Sequence, residues 1–152
     1  HVHRILRDIL FYESKSKKTS LKNAFEHLRG VLNKKTNIFI FSDFMDSGYE
    51  QALRVLGKKH DTVAVVVEDQ FEKEMPSMGL VEIADAETGE TRTIDTSSPF
   101  FKKHFTESYQ ERKKKRDQEL RKAGVGVVNV ATTKDFVDPL IAYFKMKLKA
   151  RG

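Results

Sequence analysis

Two continuously apolar runs constrain the fold of this chain more than any other feature. Ile38–Phe41 and Thr62–Val67 are rich in β-branched and aromatic residues and are bounded by polar residues. Such runs are typical of strands that are buried on both faces, in parallel sheets covered by helices. Between them, Ser47 and Glu50 have the spacing of a capping box and precede an apolar stripe that ends near Leu56. The sequence therefore predicts a strand–helix–strand unit within an α/β fold.

The rest of the chain supplies further helices, one more strand and a hairpin. Apolar residues at helical spacing predict helices over 1–13, 20–33 and 98–123, and a last helix that Thr132 or Thr133 caps. Ser98 followed by Pro99 is typical of a helix start. Gly126–Val130 is predicted as a strand, and the segments 80–84 and 91–95 alternate as in an antiparallel hairpin. We expect one domain over residues 1–152, with a mainly parallel sheet of three long strands plus this hairpin.

Composition excludes several classes of protein. The chain has no Cys, which excludes a disulfide scaffold, a thiol nucleophile and a Cys-ligated zinc site. Its longest apolar stretch is far shorter than the roughly 20 residues of a membrane-spanning helix, so no membrane segment and a cytoplasmic location are expected. Sheets of this class average about five to six strands. Because only three are predicted here, and because the first residue is His1, we expect the chain to be the C-terminal portion of a larger domain.

A candidate metal site lies where the predicted strands end. Ligands of open α/β sheets bind outside the carboxyl ends of the strands, and Asp43 and Asp69 follow the first two strands. The polar loop that ends at Thr19 can lie on the same side. Carboxylate and hydroxyl oxygens suit magnesium, manganese or calcium. The alternative is that Asp43 only stabilises the loop between a strand and a helix, and the spacing favours that alternative.

The helix over 98–123 offers a second candidate function. It carries an excess of five positive charges, and its densest basic run consists of Lys113, Lys114, Lys115 and Arg116. Such a helix can contact nucleic acid. However, acidic residues are interleaved at short spacing, and no aromatic residue interrupts the run to stack on bases. The middle of the helix, from Gln110 to Glu119, is therefore predicted to be solvated, and nucleic-acid binding stays the less favoured alternative.

Short motifs along the chain resemble those of a known bacterial family. They occur in the family's order and cover nearly the whole chain. The matching elements are Lys18-Thr19-Ser20-Leu21, Ile38 to Phe44 with its Ser-Asp-Phe end, His60-Asp61, Gly79-Leu80, Glu87-Thr88-Gly89-Glu90 and Asp95-Thr96-Ser97. The family that they resemble is domain-of-unknown-function family fifty-eight, which has a von Willebrand factor A-like fold and often occurs beside MoxR-type AAA+ ATPases.

The resemblance implies a doubly wound sheet with a metal-ion-dependent adhesion site at its carboxyl edge. In that site a D-x-S-x-S motif supplies most of the ligands, and a Thr and a later Asp complete it. Thr19 matches the threonine and Asp43 the later aspartate, whereas the D-x-S-x-S motif is absent and Ser20 stands where the family often has Asp. We therefore expect an incomplete site. This chain alone should bind a divalent cation weakly or not at all, although the full-length protein could hold magnesium or a similar ion.

These observations favour a non-enzymatic protein-interaction module. No Gly-rich phosphate loop and no G-x-S-x-G nucleophile elbow occur in the sequence. The resemblance implies a MoxR-type AAA+ ATPase as partner. In addition, the strand Ile38–Phe41 would leave an apolar, unpaired edge if a neighbouring strand is missing, and such edges recruit other chains. A homodimer through this sheet edge is therefore also expected.

Overall fold

The computed structural model describes residues 1–13, 19–84 and 89–150. Its helices and strands alternate as expected for an α/β protein. The helices are α1 (Val2–Leu10), α2 (Leu21–Val31), α3 (Glu50–Lys59), α4 (Gln70–Lys73), α5 (Pro99–Ala123) and α6 (Val137–Lys149). The strands are β1 (Asn37–Ser42), β2 (Asp61–Glu68), β3 (Leu80–Ala84), β4 (Thr91–Asp95) and β5 (Gly126–Ala131).

The main sheet is parallel, as predicted. Within the described residues it has three strands in the order β1-β2-β5. Asn37 pairs with Asp61 at one end of the β1–β2 ladder, and Glu68 pairs with Ala131 at the other end of the β2–β5 ladder. The predicted hairpin is also present, because β3 and β4 pair antiparallel. Most of its predicted turn, residues 85–88, lies outside the described residues.

One face of the sheet is covered by α2, α3 and α5. Alternate residues of β1 and β2 point to this face, where they meet apolar residues from all three helices. Full burial of a Leu or Phe side chain contributes about 1.5–3 kcal/mol, so this cluster is the main stabilising element of the fold. Its most buried members include Phe25, Leu53, Leu56, Ala64, Val66 and Leu120.

Among the described residues, α6 alone covers the opposite face. Leu140 and Tyr143 pack on a smaller cluster formed by Val63, Val65 and Val128. This layer lies over β2 and β5.

The outer strand β1 is therefore only half-covered. Phe39 and Phe41 point to the α6 side and remain 45% and 66% exposed, although the ring of Phe39 lies 5.9 Å from that of Phe144. The prediction that this strand is buried on both faces is wrong, because α6 packs mainly on β2 and β5 and covers β1 only in part.

The predicted helix starts are correct for α2 and α5. The Ser20 side chain accepts from the amide of Asn23, and the Ser98 side chain accepts from the amide of Phe101. Pro99 occupies the first turn of α5, and Gly124 ends that helix with a φ of 68°, a left-handed conformation that favours glycine. None of the helices within the described ranges is both long and apolar enough to cross a membrane.

The predicted starts of α3 and α6 are wrong. Helix α3 begins at Glu50 and not near Ser47, because the chain turns at Gly48, whose φ is 80°. Helix α6 begins at Val137, several residues after Thr132 and Thr133. There the Asp135 carboxylate accepts a hydrogen bond from the amide of Val137, which is the function expected of a capping hydroxyl.

Candidate functional site

The carboxyl ends of the three parallel strands form one rim. Ser42 ends β1, Glu68 ends β2, and Ala131 ends β5. The amide of Thr132 donates to the carbonyl of Glu68 at 3.1 Å, and its hydroxyl donates to the Asp69 carboxylate at 3.2 Å. The polar residues that follow the strands are thus brought together, as the sequence predicts. We refer to this region as the carboxyl rim.

Asp43 stabilises a tight turn at the carboxyl rim. One of its carboxylate oxygens accepts from the amide of Met45 at 3.1 Å and from the hydroxyl of Ser42 at 3.3 Å. The next residue, Phe44, is buried and has a φ of 57°, which is unusual for a residue with a side chain. The structural interpretation of Asp43, as the residue that stabilises this loop, is thus visible in the structure. Its interpretation as a metal ligand stays a prediction.

The Tyr49 side chain lies beneath this turn. Its hydroxyl donates to the carbonyl of Phe44 at 3.4 Å, and its ring lies 5.9 Å from that of Phe44. Burial, together with the negative charge of Glu50, raises the pKa of Tyr49 to about 12. The turn that presents Asp43 therefore rests on a neutral, well-packed aromatic pair.

The loop that carries Thr19 meets the loop that carries Asp43. The amide of Leu21 donates to the Asp46 carboxylate at 2.7 Å, so an acid of the second loop satisfies one of the orphan amides at the start of α2. Thr19 itself is exposed. In the part of the chain that the structure describes, no three His, Asp or Glu side chains are arranged to hold a metal ion. The assignment of Thr19 and Asp43 as metal ligands thus stays a prediction.

Arg116 of α5 joins the ends of β1 and β2. Its side chain is only 2% exposed and donates to Glu68 at 2.6 Å and to Asp117 at 3.1 Å. A longer hydrogen bond of 3.4 Å reaches the carbonyl of Asp43. Lys113, one turn earlier, also donates to Glu68 at 2.8 Å. These largely buried ion pairs hold helix α5 against the carboxyl rim.

These contacts change the ionisation of the groups involved. Burial acts to raise the pKa of Glu68, but the hydrogen bonds from Lys113 and Arg116 outweigh it and lower that pKa. The hydrogen bond to Glu68 raises the pKa of Lys113. Burial acts to lower the pKa of Arg116, and its hydrogen bonds to Glu68 and Asp117 raise it. All three groups are therefore charged at neutral pH, and Glu68 stabilises both cations.

A second polar group lies beside this ion pair. Tyr109 is 1% exposed, and its hydroxyl has no hydrogen-bond partner among the described residues. Burial, and next the negative charge of Glu68, raise its pKa. One carboxylate oxygen of Glu72 is also buried without a described partner. Burial and the nearby charges of Asp43 and Asp69 raise the pKa of Glu72, so negative charge accumulates on this side of the carboxyl rim.

The basic run of α5 is divided between the interior and the surface. Arg116 is buried and ion-paired, and Lys113 is two-thirds buried and hydrogen-bonded to Glu68. The prediction of a solvated middle of this helix is therefore wrong at Arg116. Lys114 and Lys115 are exposed. Of the four residues proposed for nucleic-acid contact, two thus have their charges engaged within the fold.

Residue spacing contains a signal for the buried charges that the sequence analysis missed. Positions 101, 105, 109, 113, 116, 120 and 123 follow one another at steps of three or four, which is one face of a helix. Tyr109, Leu120 and Ala123 of this face are buried, together with Arg116. Extending the apolar stripe through its charged members would have placed Lys113 and Arg116 at the core.

Comparisons with known proteins agree with the resemblance found in the sequence. The model of a family described as protein of unknown function DUF58 matches residues 1–134. An uncharacterized protein from Mycobacterium avium is 25% identical over 130 residues, which cover 84% of this chain and 75% of that protein. No solved structure matches the chain. Because the family model spans most of its length, the chain belongs to the DUF58 family.

Proposed function

We propose that this chain is a non-enzymatic protein-interaction module with a von Willebrand factor A-like fold, and that its carboxyl rim contacts the partner. The observation that carries the proposal is the hydrogen bond between the Leu21 amide and Asp46, which holds the Thr19 loop against the Asp43 loop. An exposed carboxylate and an exposed hydroxyl thus belong to one surface. This is the arrangement that the family resemblance implies for partner recognition.

The candidate metal ligands suit a divalent cation only in part. Thr19 and Asp43 provide one hydroxyl and one carboxylate, which are oxygen ligands of the kind that Mg²⁺ accepts. However, one Asp43 oxygen already accepts two hydrogen bonds, and the described residues contain no group of three His, Asp or Glu side chains that could hold a metal ion. The residues present therefore do not make up a resident metal site. We propose an incomplete adhesion site, at which binding by this chain does not depend on metal.

The proposed partner is a MoxR-type AAA+ ATPase, as the family resemblance implies. The carboxyl rim carries charges of both signs that suit a protein surface. A cavity of about 130 Å³ lies between the loop after β1 and helix α5, and Asp46, Arg112 and Lys115 are among its lining residues. Asp43 is exposed beside it. A partner that inserts a polar side chain here would find both acidic and basic groups.

A binding experiment with two matched variants tests this proposal. Asp43→Asn removes a charge from the carboxyl rim but keeps an oxygen that can accept from the amide of Met45. Asp95→Asn is the control, because Asp95 accepts from the amide of Ser97 in a similar turn on the separate hairpin. We expect Asp43→Asn to weaken binding of a purified MoxR-type ATPase by about tenfold, which corresponds to about 1.4 kcal/mol. The control should bind like the wild type.

The same experiment shows which part of the proposal fails. Equal binding by the wild type and Asp43→Asn would remove Asp43 from the contact. Absence of binding by every variant, with and without magnesium, would refute the ATPase as partner. Binding that chelation of divalent cations abolishes would contradict the incomplete site. Turnover of any substrate by the wild type, lost in Asp43→Asn, would refute a non-enzymatic role.

The free edge of β1 supports a homodimer as a second partner proposal. In the described part of the chain, β1 has a hydrogen-bonded neighbour on one side only, which is β2. Unpaired backbone groups at an edge can accept a strand from another chain. If two copies pair in this way, the β1 amides that face outward should be protected from hydrogen exchange at high concentration only. Protection that does not change with concentration would contradict edge pairing.

A further inference from the structure

Helix α1 has an apolar stripe that contacts little else in the described structure. Val2, Ile5, Leu6 and Ile9 recur at helical spacing and are 50–69% exposed, and every residue of the helix is exposed. Leu10, Phe11 and Tyr12 extend the apolar surface beyond the stripe with exposures of 75–78%. Contiguous apolar surface of this extent marks an interaction site on a folded protein.

A second unpartnered apolar surface lies on the other side of the sheet. It runs between β1 and α6 and is formed by Phe39, Phe41, Phe136, Phe144 and Leu148, each of which is at least 40% exposed. We call it the β1–α6 groove. Phe41 and Phe136 are among the residues that line a cavity of about 240 Å³, and Phe39, Phe144 and Leu148 are among those that line another of about 150 Å³. The groove exists because α6 covers β1 only in part.

We propose that α1 of one copy of this chain docks into the β1–α6 groove of a second copy, and that the second copy does the same in return. An amphipathic helix in an apolar groove is a common recognition mode, in which residues at i, i+3, i+4 and i+7 provide the anchors. Val2, Ile5, Leu6 and Ile9 have this spacing. From Phe136 to Leu148 the groove is about 18 Å long, at 1.5 Å per helical residue, and α1 is about 14 Å long.

The surface available is sufficient for a stable dimer. The apolar residues of the segment Val2–Tyr12 are about two-thirds exposed on average, which corresponds to about 800 Å² if each would expose about 170 Å² in full. Suppose that half of this is buried, with an equal area of the groove. Two reciprocal contacts then bury about 1,600 Å² in total, which is the size of a standard specific interface. A single docked helix would bury only half as much.

Docking of α1 on its own groove and insertion into a lipid surface are the other outcomes to distinguish. Residues 11–20 connect α1 to α2, which packs on the opposite face of the sheet. Ten residues can span about 33 Å, so an intramolecular contact is within reach. The second copy is favoured because it supplies two contacts at once, and because α1 is exposed along its whole length in the isolated chain.

Sedimentation velocity of this chain over a range of concentrations tests the proposal. The wild type should form dimers. Ile5→Glu places a charge in the stripe, and Phe41→Glu places one in the groove. Because each variant affects both contacts of the dimer, we expect the dissociation constant to rise about a hundredfold or more. Arg4→Glu on the opposite side of α1 and Phe100→Glu at the start of α5 are the matched controls, and both should dimerise normally.

A mixture of the two variants provides the sharpest measurement. Ile5→Glu keeps an intact groove, and Phe41→Glu keeps an intact α1, so together they can form one of the two native contacts. The mixture should therefore associate more tightly than either variant alone. Circular dichroism confirms that each variant is folded, and Leu148→Glu, at a position 72% exposed, is a second groove variant should Phe41→Glu unfold.

Four results would overturn the proposal. The wild type could be monomeric at every concentration, or dimerisation could survive both Ile5→Glu and Phe41→Glu. A monomer whose α1 amides lose hydrogen-exchange protection in Phe41→Glu would indicate docking on its own groove. A monomer that floats with phosphatidylserine–phosphatidylcholine vesicles, and no longer does so as Ile5→Glu, would indicate a lipid surface. None of these measurements involves the ATPase. Ile5→Glu also distinguishes this dimer from one formed by pairing of β1 edges, because α1 takes no part in edge pairing and that dimer should survive the substitution.

Discussion

The ion pair between Glu68 and Arg116 should be the most sensitive polar contact in this fold. The Arg116 side chain is 2% exposed and that of Glu68 is 19% exposed, with 2.6 Å between their charged atoms. Removing one partner of a buried pair typically costs about 3–5 kcal/mol, because the other charge is left uncompensated. Replacing Glu68 or Arg116 should therefore destabilise the protein far more than replacing an exposed charged residue.

The two replacements should lower the free energy of unfolding by different amounts. Glu68→Gln leaves a buried guanidinium with Asp117 as its remaining acidic partner, so we expect a loss of about 3 kcal/mol. Arg116→Met leaves Glu68 still paired with Lys113 and near solvent, so about 2 kcal/mol is expected. Lys113→Met is the control, because this side chain is 33% exposed and an ion pair near the surface contributes at most about 1 kcal/mol.

Urea unfolding followed by circular dichroism measures these differences. With a slope of about 2 kcal/mol per M, a loss of 3 kcal/mol lowers the midpoint by about 1.5 M. The double variant should lose less than the sum of the two single variants, because each single variant removes the same contact. If the two losses add to within about 0.5 kcal/mol, or if Lys113→Met costs as much as Glu68→Gln, the reasoning is refuted.

Acid unfolding gives a second measurement on the same pair. Because the pKa of Glu68 is lower in the folded state than its ordinary value of 4.5, its ionised form stabilises the fold at and above that value. This stabilisation is lost as the pH falls below about 4.5 and through the folded-state pKa. Glu68→Gln should therefore flatten the decline of stability on the acid side. An unchanged slope would contradict the assignment.

Three further predictions concern other parts of the chain. Gly57→Ala should lower the free energy of unfolding by about 2 kcal/mol, because the new methyl group would lie 2.6 Å from a backbone carbonyl oxygen of α5. Gly30→Ala has open space around it and should instead stabilise the protein through α2 by up to about 1 kcal/mol. The same urea assay measures both. Glu72→Gln should raise stability at neutral pH by less than about 1 kcal/mol after solvent screening. The reason is that a carboxyl group with a raised pKa destabilises the fold as the pH rises and the group ionises. Equal stability curves of the wild type and the variant between pH values of about 4 and 8 would contradict this. Replacing Lys114 and Lys115 by Gln should leave binding to DNA or RNA unchanged in a salt titration, and a clear loss of salt-dependent affinity would favour the nucleic-acid alternative.

The elements that local patterns encode could be predicted from the sequence. The apolar runs of β1 and β2, the alternation of the hairpin, and the Ser98-Pro99 start of α5 all depend on residues close together in the chain. Local patterns do not show how far the neighbouring helix α6 extends over the sheet. Phe39 and Phe41 have the composition of buried strand residues, but their exposure depends on where α6 ends over the sheet, which is a tertiary property.

The candidate site could be predicted only in its location. The rule that strand ends meet at one edge predicted the rim around Asp43 and Asp69 correctly. The contact between Glu68 and Arg116 could not be predicted in the same way, because 48 residues separate the partners. A charged residue in a basic run also has the same local signature whether it is solvated or buried. Only the continuation of the Tyr109–Leu120 stripe through position 116 distinguishes the two cases.

The buried pair also changes what the net charge of α5 means. The sequence assigns this helix most of the net positive charge of the chain, and an interface with an anionic polymer is the natural interpretation. In the fold, Arg116 and Lys113 share Glu68, and Arg116 also contacts Asp117. Part of the formal excess therefore neutralises acids at the carboxyl rim and is not presented to a partner. The carboxyl rim, which α5 holds in place, is consequently a better candidate for partner recognition than the positive charge of the helix.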